Sequence, residues 1–500
     1  MNLRTIGKMA MAGALVLGLT AAGTASAATR NINIYGASAQ YLYWKTFGTS
    51  FLTSAGCSGI TSGEYQNTTT PGDSNNGKFA YTKGLACTNY AGDDVIIRVA
   101  SKSSYDGIWA VQPIDPAANC GSADQRKQID ETTLNFGGQL GSYNLTCQHV
   151  VVGASDVSAK AFKQTSTGYK LGPLMGSAAN FQENINLFPG SPPNDAGLDL
   201  DTPLIIPFGF FLNKAVVSGT CSNSGEACPV TTDAGYPGAG TAVHGDLTYC
   251  GGANTCNVGR VQNLSRQQIA LLFGGNVTNW NQLGSEFPNL PLWTCIRHAG
   301  SGTVATLDKA IMFDIGFGTQ LPVTQRTGTL GGKYIWFNDG SPDELKCVDG
   351  RTAAGAVTAG FYNQAPWNGN SSGSFVGGIG FADADQATKV ATDAGGDNTY
   401  PNVYGPVKFN GYMPYRWNVR NGAYDNFWTL EHMYRNPGEP PLIKAVVSDM
   451  VTFITPATIP ASEAIYYGTP AEMRVTKGTT ITFAEDKYPI TSTPTTPQSP

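Results

Sequence analysis

The chain has 500 residues, of which 13% are charged, and its formal net charge is −5. An acidic balance argues against a general nucleic-acid-binding protein, because such proteins need a basic surface to neutralise phosphates. A chain of this length is expected to form two or three domains.

Residues 1–27 have the pattern of a secretory signal peptide. Arg4 and Lys8 form a basic start, a short apolar run extends from Met9 to Ala22, and Ala25-Ser26-Ala27 is a small-residue cleavage site. Cleavage near Ala27 removes the two positive charges of Arg4 and Lys8 and no acid, and so leaves a formal charge of −7. We therefore predict a periplasmic or secreted protein with no transmembrane segment in the mature chain.

The ten cysteines all lie in the mature part of the chain. An even number of cysteines in an exported protein is typical of disulfides. Pairing each cysteine with its neighbour predicts five bonds: Cys57–Cys87, Cys120–Cys147, Cys221–Cys228, Cys250–Cys256 and Cys295–Cys347. No Cys-x-x-Cys occurs and the four histidines lack ligand spacing, so neither a metal site nor a cofactor is predicted.

Strand and helix patterns alternate along the chain. Strands are predicted at residues 31–35, 95–100 and 150–153, and helices at residues 42–52, 105–111 and 265–273. The last helix opens with a capping box of Ser265 and Gln268. This order predicts an α/β fold with a mainly parallel sheet.

Segments rich in Gly, Asn and Ser interrupt this alternation. We expect Thr61–Lys78 and Ser218–Gly252 to be surface loops that are stapled by disulfides. The Pro/Thr/Ser-rich tail, Thr491–Pro500, is predicted to be disordered.

Four turns that follow predicted strands are rich in hydroxyls and small residues. They are Gly36–Gln40, Ser101–Ser104, Gly153–Asp156 and Arg297–Thr303. Ligands of α/β sheets lie beyond the carboxyl ends of the strands, where such turns present backbone N–H groups and hydroxyls. Together the four turns favour an oxyanion site.

The Arg297–Thr303 turn has the chemistry of an anion-binding loop. Gly300 and Gly302 allow close approach of the backbone to a ligand, and Arg297 supplies a permanently charged fork. Ser301 and Thr303 offer hydroxyls, and either can also cap the helix that follows. An ordinary capped helix after a surface turn therefore remains the alternative interpretation.

Six segments, in chain order, resemble the motifs of the periplasmic phosphate-binding proteins of bacterial ABC uptake systems. They are Gly36–Tyr41, Ser103–Ser104, Gly153–Asp156, Leu264–Asn281, Arg297–Thr303 and Gly377–Phe381. The resemblance covers residues 31–385 and is looser afterwards. It implies the two-lobed type II periplasmic binding protein fold, an α/β fold with crossover strands, here with disulfide-stapled insertions.

The resemblance also implies how the chain divides into lobes. The first lobe is expected to comprise residues 28–212 with 385–490, and the second lobe residues 213–384. The two lobes would close on the anion between them.

The implied phosphate-binding residues lie in both lobes. They are Ser38, Gln40, Tyr41, Ser103, Ser104, Asp156, Arg297, Ser301, Gly302 and Thr303. Asp156 would accept a hydrogen bond from a protonated oxyanion, which a fully ionised anion such as sulfate cannot donate. Ser103 is the donor expected in the second loop, and Ser104 takes its place if the alignment shifts by one residue. Ser38 is an alternative donor in the first loop.

Two positions depart from the family pattern. The aspartate that accompanies the family's arginine is Ala299 here, preceded by His298, and the first-loop threonine is Gln40. The loss of the aspartate leaves Arg297 freer, or balanced by another acid. Both changes bear on which oxyanion is bound.

Three functions compete at this point. The first is an exported, non-enzymatic protein that binds phosphate or a related protonatable oxyanion and delivers it to a membrane ABC permease. The second is a surface or extracellular structural protein that retains the fold without uptake. The third is a hydrolase with Ser301 as nucleophile and His298 as base, although the chain lacks a Gly-x-Ser-x-Gly elbow there.

Overall fold

The structure is a computed structural model of the full chain. It describes residues 27–67, 77–112, 114, 120–132, 145–162, 193–214, 216–221, 256–274, 276–284, 287, 290, 292–297, 300–312, 334–338, 340–349, 377–390, 399–400 and 402–475. Residues 1–26 of the predicted signal peptide and the predicted tail, 491–500, lie outside these ranges.

The described strands are numbered in chain order. They are β1 (Thr29–Ala37), β2 (Ser58–Asn67), β3 (Gly77–Cys87), β4 (Asp93–Lys102), β5 (Gln125–Ile129), β6 (Leu145–His149), β7 (Val152–Ser155), β8 (Asp199–Asp201), β9 (Ile205–Asn213), β10 (Val217–Cys221), β11 (Cys256–Arg260), β12 (Asn263–Leu264), β13 (Trp293–Arg297), β14 (Tyr334–Asn338), β15 (Gly378–Asp383), β16 (Val403–Phe409), β17 (Trp428–Leu430) and β18 (His432–Arg435).

The described α-helices alternate with these strands. They are α1 (Tyr41–Ser54), α2 (Ser104–Ala110), α3 (Arg266–Phe273), α4 (Gly302–Leu307), α5 (Ser341–Asp349), α6 (Arg416–Arg420) and α7 (Pro441–Phe453). The predicted capping box is present at α3, where Ser265 Oγ accepts from the Gln268 N–H and Gln268 Oε1 accepts from the Ser265 N–H. The mixed α/β architecture predicted from the sequence is therefore confirmed.

Two seven-stranded sheets form the body of the molecule. The first sheet has the order β2-β3-β4-β1-β7-β18-β8, and the second has the order β12-β16-β9-β15-β13-β14 with β17 paired to β9. In the first sheet only β1 runs parallel to its two neighbours, β4 and β7, and every other pair is antiparallel. The prediction of a mainly parallel sheet is therefore wrong, because the added hairpin strands and the returning strands run antiparallel.

Residues 58–67 and 77–87 account for part of this difference. The sequence predicted a surface loop over Thr61–Lys78, but β2 and β3 form an antiparallel pair on the edge of the first sheet. The polar composition that suggested a loop is compatible with an edge strand, since one face of such a strand is solvated.

The chain changes from one sheet to the other at two neighbouring places. It passes from β8 to β9 between residues 201 and 205, and from β17 to β18 at Glu431, whose N–H donates to Leu204 O at 2.9 Å. The predicted lobe boundaries, 212/213 and 384/385, lie elsewhere, since β9, β16 and β17 all belong to the second sheet. The division into lobes stays a prediction, and sheet membership favours boundaries near these two crossings.

The turn regions of β1 and β7 are packed unusually closely against helix α2. A Cβ atom on Gly107 would lie 2.4 Å from Ala154 O and 2.9 Å from Gly36 Cα. Gly36 itself has a φ of +138°, a conformation that glycine adopts without strain. The close approach carries the first residue of α2, Ser104, to the end of β7.

A buried ion pair holds α2 from the other side. Arg126 donates to Asp106 Oδ1 at 3.0 Å, and Tyr35 Oη donates to Asp106 Oδ2 at 2.7 Å. Both charged side chains are at most 3% exposed. A buried pair with these additional hydrogen bonds fixes the helix, because removal of either partner would leave an uncompensated charge.

Three of the predicted disulfides are present in the described part of the chain. They join Cys57 to Cys87, Cys120 to Cys147, and Cys295 to Cys347. The other two predicted bonds involve Cys228 and Cys250, which lie outside the described residues. No described helix is both long and apolar enough to cross a membrane.

We predict that Gly107→Ala weakens the packing of α2. The added methyl group meets backbone atoms that have no rotamer to change, so the helix must move away from β1 and β7. Overpacking of this kind costs about 1–3 kcal/mol of unfolding free energy. Urea unfolding of the mature protein measures the change.

Gly121→Ala is the matched control for Gly107→Ala. A Cβ at Gly121 meets no atom within 4 Å, so we expect a change within about 0.5 kcal/mol. Equal unfolding free energies for the two variants would contradict the close contact at α2.

His149 is expected to make stability depend on pH. Its Nδ1 lies 2.8 Å from Asp124 Oδ2 and its Nε2 lies 2.7 Å from Glu439 Oε1. The hydrogen bond with Glu439 is the main cause that raises the pKa of His149 above its ordinary value of 6.5. The other interactions with Glu439 and Asp124 act in the same direction, and burial opposes them. The contribution is therefore complete below about pH 6.5 and is lost as the pH rises through the folded-state pKa.

His149→Gln tests this contribution. Because the imidazole is about half exposed, we expect the variant to lose about 1 kcal/mol or less at pH 6. At pH 9 the wild type and the variant should have similar unfolding free energies. A loss of the same size at both pH values would show that the imidazolium charge contributes nothing.

Candidate functional site

The predicted site residues come from turns at the carboxyl ends of central strands. Ser38 and Gln40 follow β1, Ser104 follows β4, Asp156 follows β7, and Arg297 is the last residue of β13. β1 runs parallel to β4 and β7, which brings their ends to one edge of the first sheet. Residues Gly300–Thr303, which lead into α4 after β13 of the second sheet and are here called the α4 turn, meet that edge.

Asp156 lies at the centre of this meeting point. It is 1% exposed, and its Oδ2 accepts from Ser104 Oγ at 3.2 Å and from Thr303 Oγ1 at 3.4 Å. Its Oδ1 accepts a long hydrogen bond of 3.5 Å from Gln40 Nε2. The carboxylate is thus surrounded by donors from the first sheet and from the α4 turn.

Ser104 bridges the two sheets through its single hydroxyl. Its Oγ accepts from the N–H of Asp156 at 3.3 Å and from the N–H of Gly302 at 3.1 Å. With both acceptor positions used, the hydroxyl proton is left to donate to Asp156 Oδ2. A second contact, from Tyr105 N to Gly300 O at 3.1 Å, joins the same two turns through the backbone.

Gly302 has no space for a side chain at this contact. A Cβ on Gly302 would lie 2.6 Å from both Asp156 Cβ and Ser104 Oγ. Gly302 is therefore required by the close approach of its turn to Asp156 and Ser104, whereas the sequence had predicted a close approach to a ligand.

Arg297 extends its guanidinium between the two sheets. It is 1% exposed, and its Nη1 donates to Ser38 Oγ at 2.8 Å and to Ser341 Oγ at 3.2 Å. Ser38 comes from the β1 turn, whereas Ser341 opens α5 after β14. Three separate chain segments thus converge on one cationic group.

Burial dominates the electrostatics of Asp156. It raises the pKa of Asp156 to about 7, the positive charge of Arg297 opposes the shift, and the negative charge of Asp383 adds to it. The hydrogen bonds from Ser104 and Thr303 also favour the ionised form and lower the pKa. The carboxyl group therefore changes protonation state near neutral pH, within the range in which phosphate also titrates.

Ser301 has a hydroxyl that the protein leaves unused. It is 2% exposed, makes no capping hydrogen bond to α4, and has no partner for its Oγ in the described part of the chain. A buried hydroxyl without a partner is costly unless a ligand or water satisfies it. This observation favours the anion-binding interpretation of the turn over the simple cap.

Two sequence-predicted residues have other contacts. Ser103 Oγ accepts from the Asp106 N–H and caps α2, so the structure brings Ser104 rather than Ser103 onto Asp156. The Tyr41 hydroxyl donates a hydrogen bond to Phe79 O at 3.1 Å, and the Tyr41 N–H donates one to Ser38 O at 3.3 Å. Both groups of Tyr41 are therefore engaged in the first sheet and its turn.

Three polar residues from α5 and β15 were not predicted from the sequence. Ser341 bonds Arg297, Glu344 lies one helical turn later, and Asp383 is the last residue of β15. Glu344 is fully buried, with its Oε1 accepting the Phe381 N–H at 2.8 Å, and burial raises its pKa whereas Arg297 lowers it. The local pattern is similar to that of the other site turns, since Gly340-Ser341 follows β14, but the position of Ser341 beside Arg297 depends on the pairing of β14 with β13.

Two buried carboxyl groups are influenced by the charge of Arg297. Ala299 and His298 lie outside the described residues. Burial raises the pKa of both Asp156 and Glu344, and the positive charge of Arg297 opposes this rise at each of them. The described residues contain no group of three or more His, Cys, Asp or Glu side chains that is suited to holding a metal ion.

The arrangement combines several donors with one acceptor. Arg297 and the hydroxyls of Ser38, Ser301 and Ser341 are suited to ionised oxygens, while the Asp156 carboxylate is suited to a hydroxyl. Such a set can distinguish a protonated oxyanion from a fully ionised one, because a buried acceptor is left unsatisfied by the latter.

Comparison with known proteins gives one family match. Residues 239–454 match a family described as a PBP superfamily domain, and the match spans less than half of the chain. This segment contains α3, β13, the α4 turn, α5 and β15, and hence Arg297, Ser341 and Asp383.

Several solved structures are similar at low identity. The ancestral soluble variant of the human phosphate-binding protein is 12% identical, with 87% of this chain and 90% of that chain covered and a TM-score of 0.39. A DING protein is 12% identical, with 87% and 90% covered and a TM-score of 0.38. The phosphate-binding protein from Stenotrophomonas maltophilia is 12% identical, with 86% and 84% covered and a TM-score of 0.33.

At these identities and TM-scores the solved structures assign no ligand to this chain. The family match and the two mixed sheets describe the architecture. The described part of the chain has a mixed α/β fold with two seven-stranded sheets, and residues 239–454 are similar to the PBP superfamily domain.

Proposed function

We propose that this protein binds phosphate, or a closely related protonatable oxyanion, between the two sheets. The observation that carries the proposal is the Asp156 carboxylate, which is buried among donors and lies in the field of Arg297. The unused hydroxyl of Ser301 supports it, since an anion in the turn would satisfy that group.

A ligand that has both a hydroxyl and ionised oxygens explains why the site contains both Asp156 and Arg297. A monobasic or dibasic phosphate has at least one hydroxyl to donate to Asp156, and its ionised oxygens accept from Arg297 and the serine hydroxyls. Sulfate at neutral pH has no hydroxyl, so it would leave Asp156 unsatisfied and would be repelled by its charge.

We further propose that the protein is exported and delivers its ligand to a membrane ABC permease, without turnover. The signal pattern at residues 1–27 and the order of the motifs support this role. Binding and delivery of an anion do not need a nucleophile. Within the described residues, no base lies within hydrogen-bond distance of Ser301 Oγ. Ser301 then acts as a donor to the anion.

Calorimetric titration of the mature protein with phosphate tests the proposal. We expect micromolar or tighter binding, and a loss of about a hundredfold or more in Arg297→Ala, because a charged hydrogen-bonding partner in a buried site is removed. Asp156→Asn should lose the preference for phosphate over sulfate. Asp449→Asn, on the exposed face of α7, is the control and should bind as the wild type does.

Folding is checked in the same variants. Asp156→Asn removes a carboxyl group whose pKa is raised to about 7, so at pH 8 it should unfold no more easily than the wild type. Failure of the folded wild type to bind phosphate, arsenate or sulfate would overturn the proposal and favour a structural role for this fold. Ester hydrolysis that depends on Ser301 would favour the hydrolase instead.

The preference for phosphate over sulfate is expected to depend on pH. Above about pH 7 Asp156 is ionised and accepts only from a protonated anion; below that value it becomes a neutral donor that sulfate can use. Each pH unit changes the ratio of the two forms about tenfold. The Kd ratio of sulfate to phosphate should therefore fall by at least about tenfold between pH 8.5 and pH 5.5.

Competition calorimetry over this pH range measures the ratio. In Asp156→Asn the side chain donates at every pH, so the ratio should vary much less than in the wild type. A wild-type ratio that stays constant from pH 8.5 to pH 5.5 would contradict the assignment of Asp156 as the titrating group.

A further inference from the structure

Ser341 lies at a junction that the sequence motifs do not include. It is the first residue of α5, is 2% exposed, and follows β14 through a short turn. Its Oγ lies 3.2 Å from Arg297 Nη1 and 3.4 Å from Ser38 Oγ. Ser341 therefore lies beside Arg297 and Ser38, the two residues that are expected to donate hydrogen bonds to an anion.

The hydroxyl of Ser341 does not serve as a helix cap. The N–H of Glu344, in the first turn of α5, donates to Gly340 O at 3.0 Å instead. Within the described residues, Ser341 Oγ contacts Arg297 at the end of β13 and Ser38 in the turn after β1, rather than a group of its own helix.

The hydrogen bonds among Arg297, Ser38 and Ser341 leave one hydroxyl proton available to donate. Arg297 Nη1 carries two hydrogens, and it donates one to Ser38 Oγ and one to Ser341 Oγ. Each of the two hydroxyl oxygens then accepts one hydrogen bond from Arg297, and each hydroxyl still has its own proton to donate. Only one of these protons can be used in the contact between Ser38 and Ser341, so the other is free to point at an acceptor beside the guanidinium.

We propose that Ser341 is a further contact for the bound oxyanion, acting with Arg297 and Ser38 as a single donor set. This inference rests on the proposed phosphate-binding function. The set faces the ionised oxygens of the ligand, while Asp156 receives the proton of the hydroxyl oxygen. Ser341 thereby gives the second sheet a hydroxyl donor in addition to those of the α4 turn.

Ser341 helps to position an arginine whose turn has no aspartate at residue 299. In the resembling family that aspartate accompanies the arginine, and this chain has Ala299. Here the two neutral hydroxyls of Ser38 and Ser341 accept from Arg297 Nη1 and orient the guanidinium.

Phosphate titration of Ser341→Ala, Ser341→Cys and Ser341→Thr tests the inference. Loss of a hydroxyl donor to a charged acceptor should weaken phosphate binding about ten- to a hundredfold in Ser341→Ala. Ser341→Cys preserves the size of the side chain but has a weak donor, so it should bind almost as poorly. Ser341→Thr keeps the hydroxyl and should remain within about threefold of the wild type.

Ser448→Ala, on the exposed face of α7, is the matched control and should leave the Kd unchanged. The shift of the melting temperature by phosphate is the second readout, because a merely structural serine would lower the melting temperature equally with and without phosphate. If the wild type binds phosphate and Ser341→Cys binds it equally well, the inference is overturned. If the wild type does not bind, the proposed function fails instead.

Discussion

The structure depends on the burial of one carboxylate between two sheets. Asp156 at the end of β7 accepts hydrogen bonds from Ser104, at the start of α2, and from Thr303 of the α4 turn. Burial raises the pKa of Asp156, and the charge of Arg297 opposes this rise. Burying a charge is costly unless donors and an opposite charge compensate it. The tight glycine contacts at Gly107 and Gly302 exist at the places where these donors must approach.

The sequence predicted the parts of this arrangement that follow local rules. Alternating strand and helix patterns located β1, β4, β7 and α3, and the turns after those strands contained most of the residues that meet at Asp156. This worked because a parallel strand and the turn after it are specified within a few residues. The described disulfides, such as Cys57–Cys87, join cysteines that are consecutive in chain order, so the pairing of each cysteine with the next one predicted them.

Features that depend on distant pairing were predicted less well. Most of strand β2 lies in the segment that was predicted as a polar loop, Thr61–Lys78, and the exchange of strands between sheets near Leu204 and Glu431 has no local signature. A one-residue difference in register also decides that Ser104 contacts Asp156 while Ser103 caps a helix. Ser341 was missed because its relevance arises only when β14 pairs with β13 and places it beside Arg297.

The central claim is that Asp156 and Arg297 hold opposite sides of one protonated oxyanion. A crystal structure of the mature protein grown with phosphate tests it most directly. The account predicts a phosphate with one oxygen about 2.5–2.7 Å from a carboxyl oxygen of Asp156 and other oxygens on the guanidinium of Arg297. A phosphate bound elsewhere, or one that touches Arg297 while Asp156 keeps only its protein partners, would contradict it.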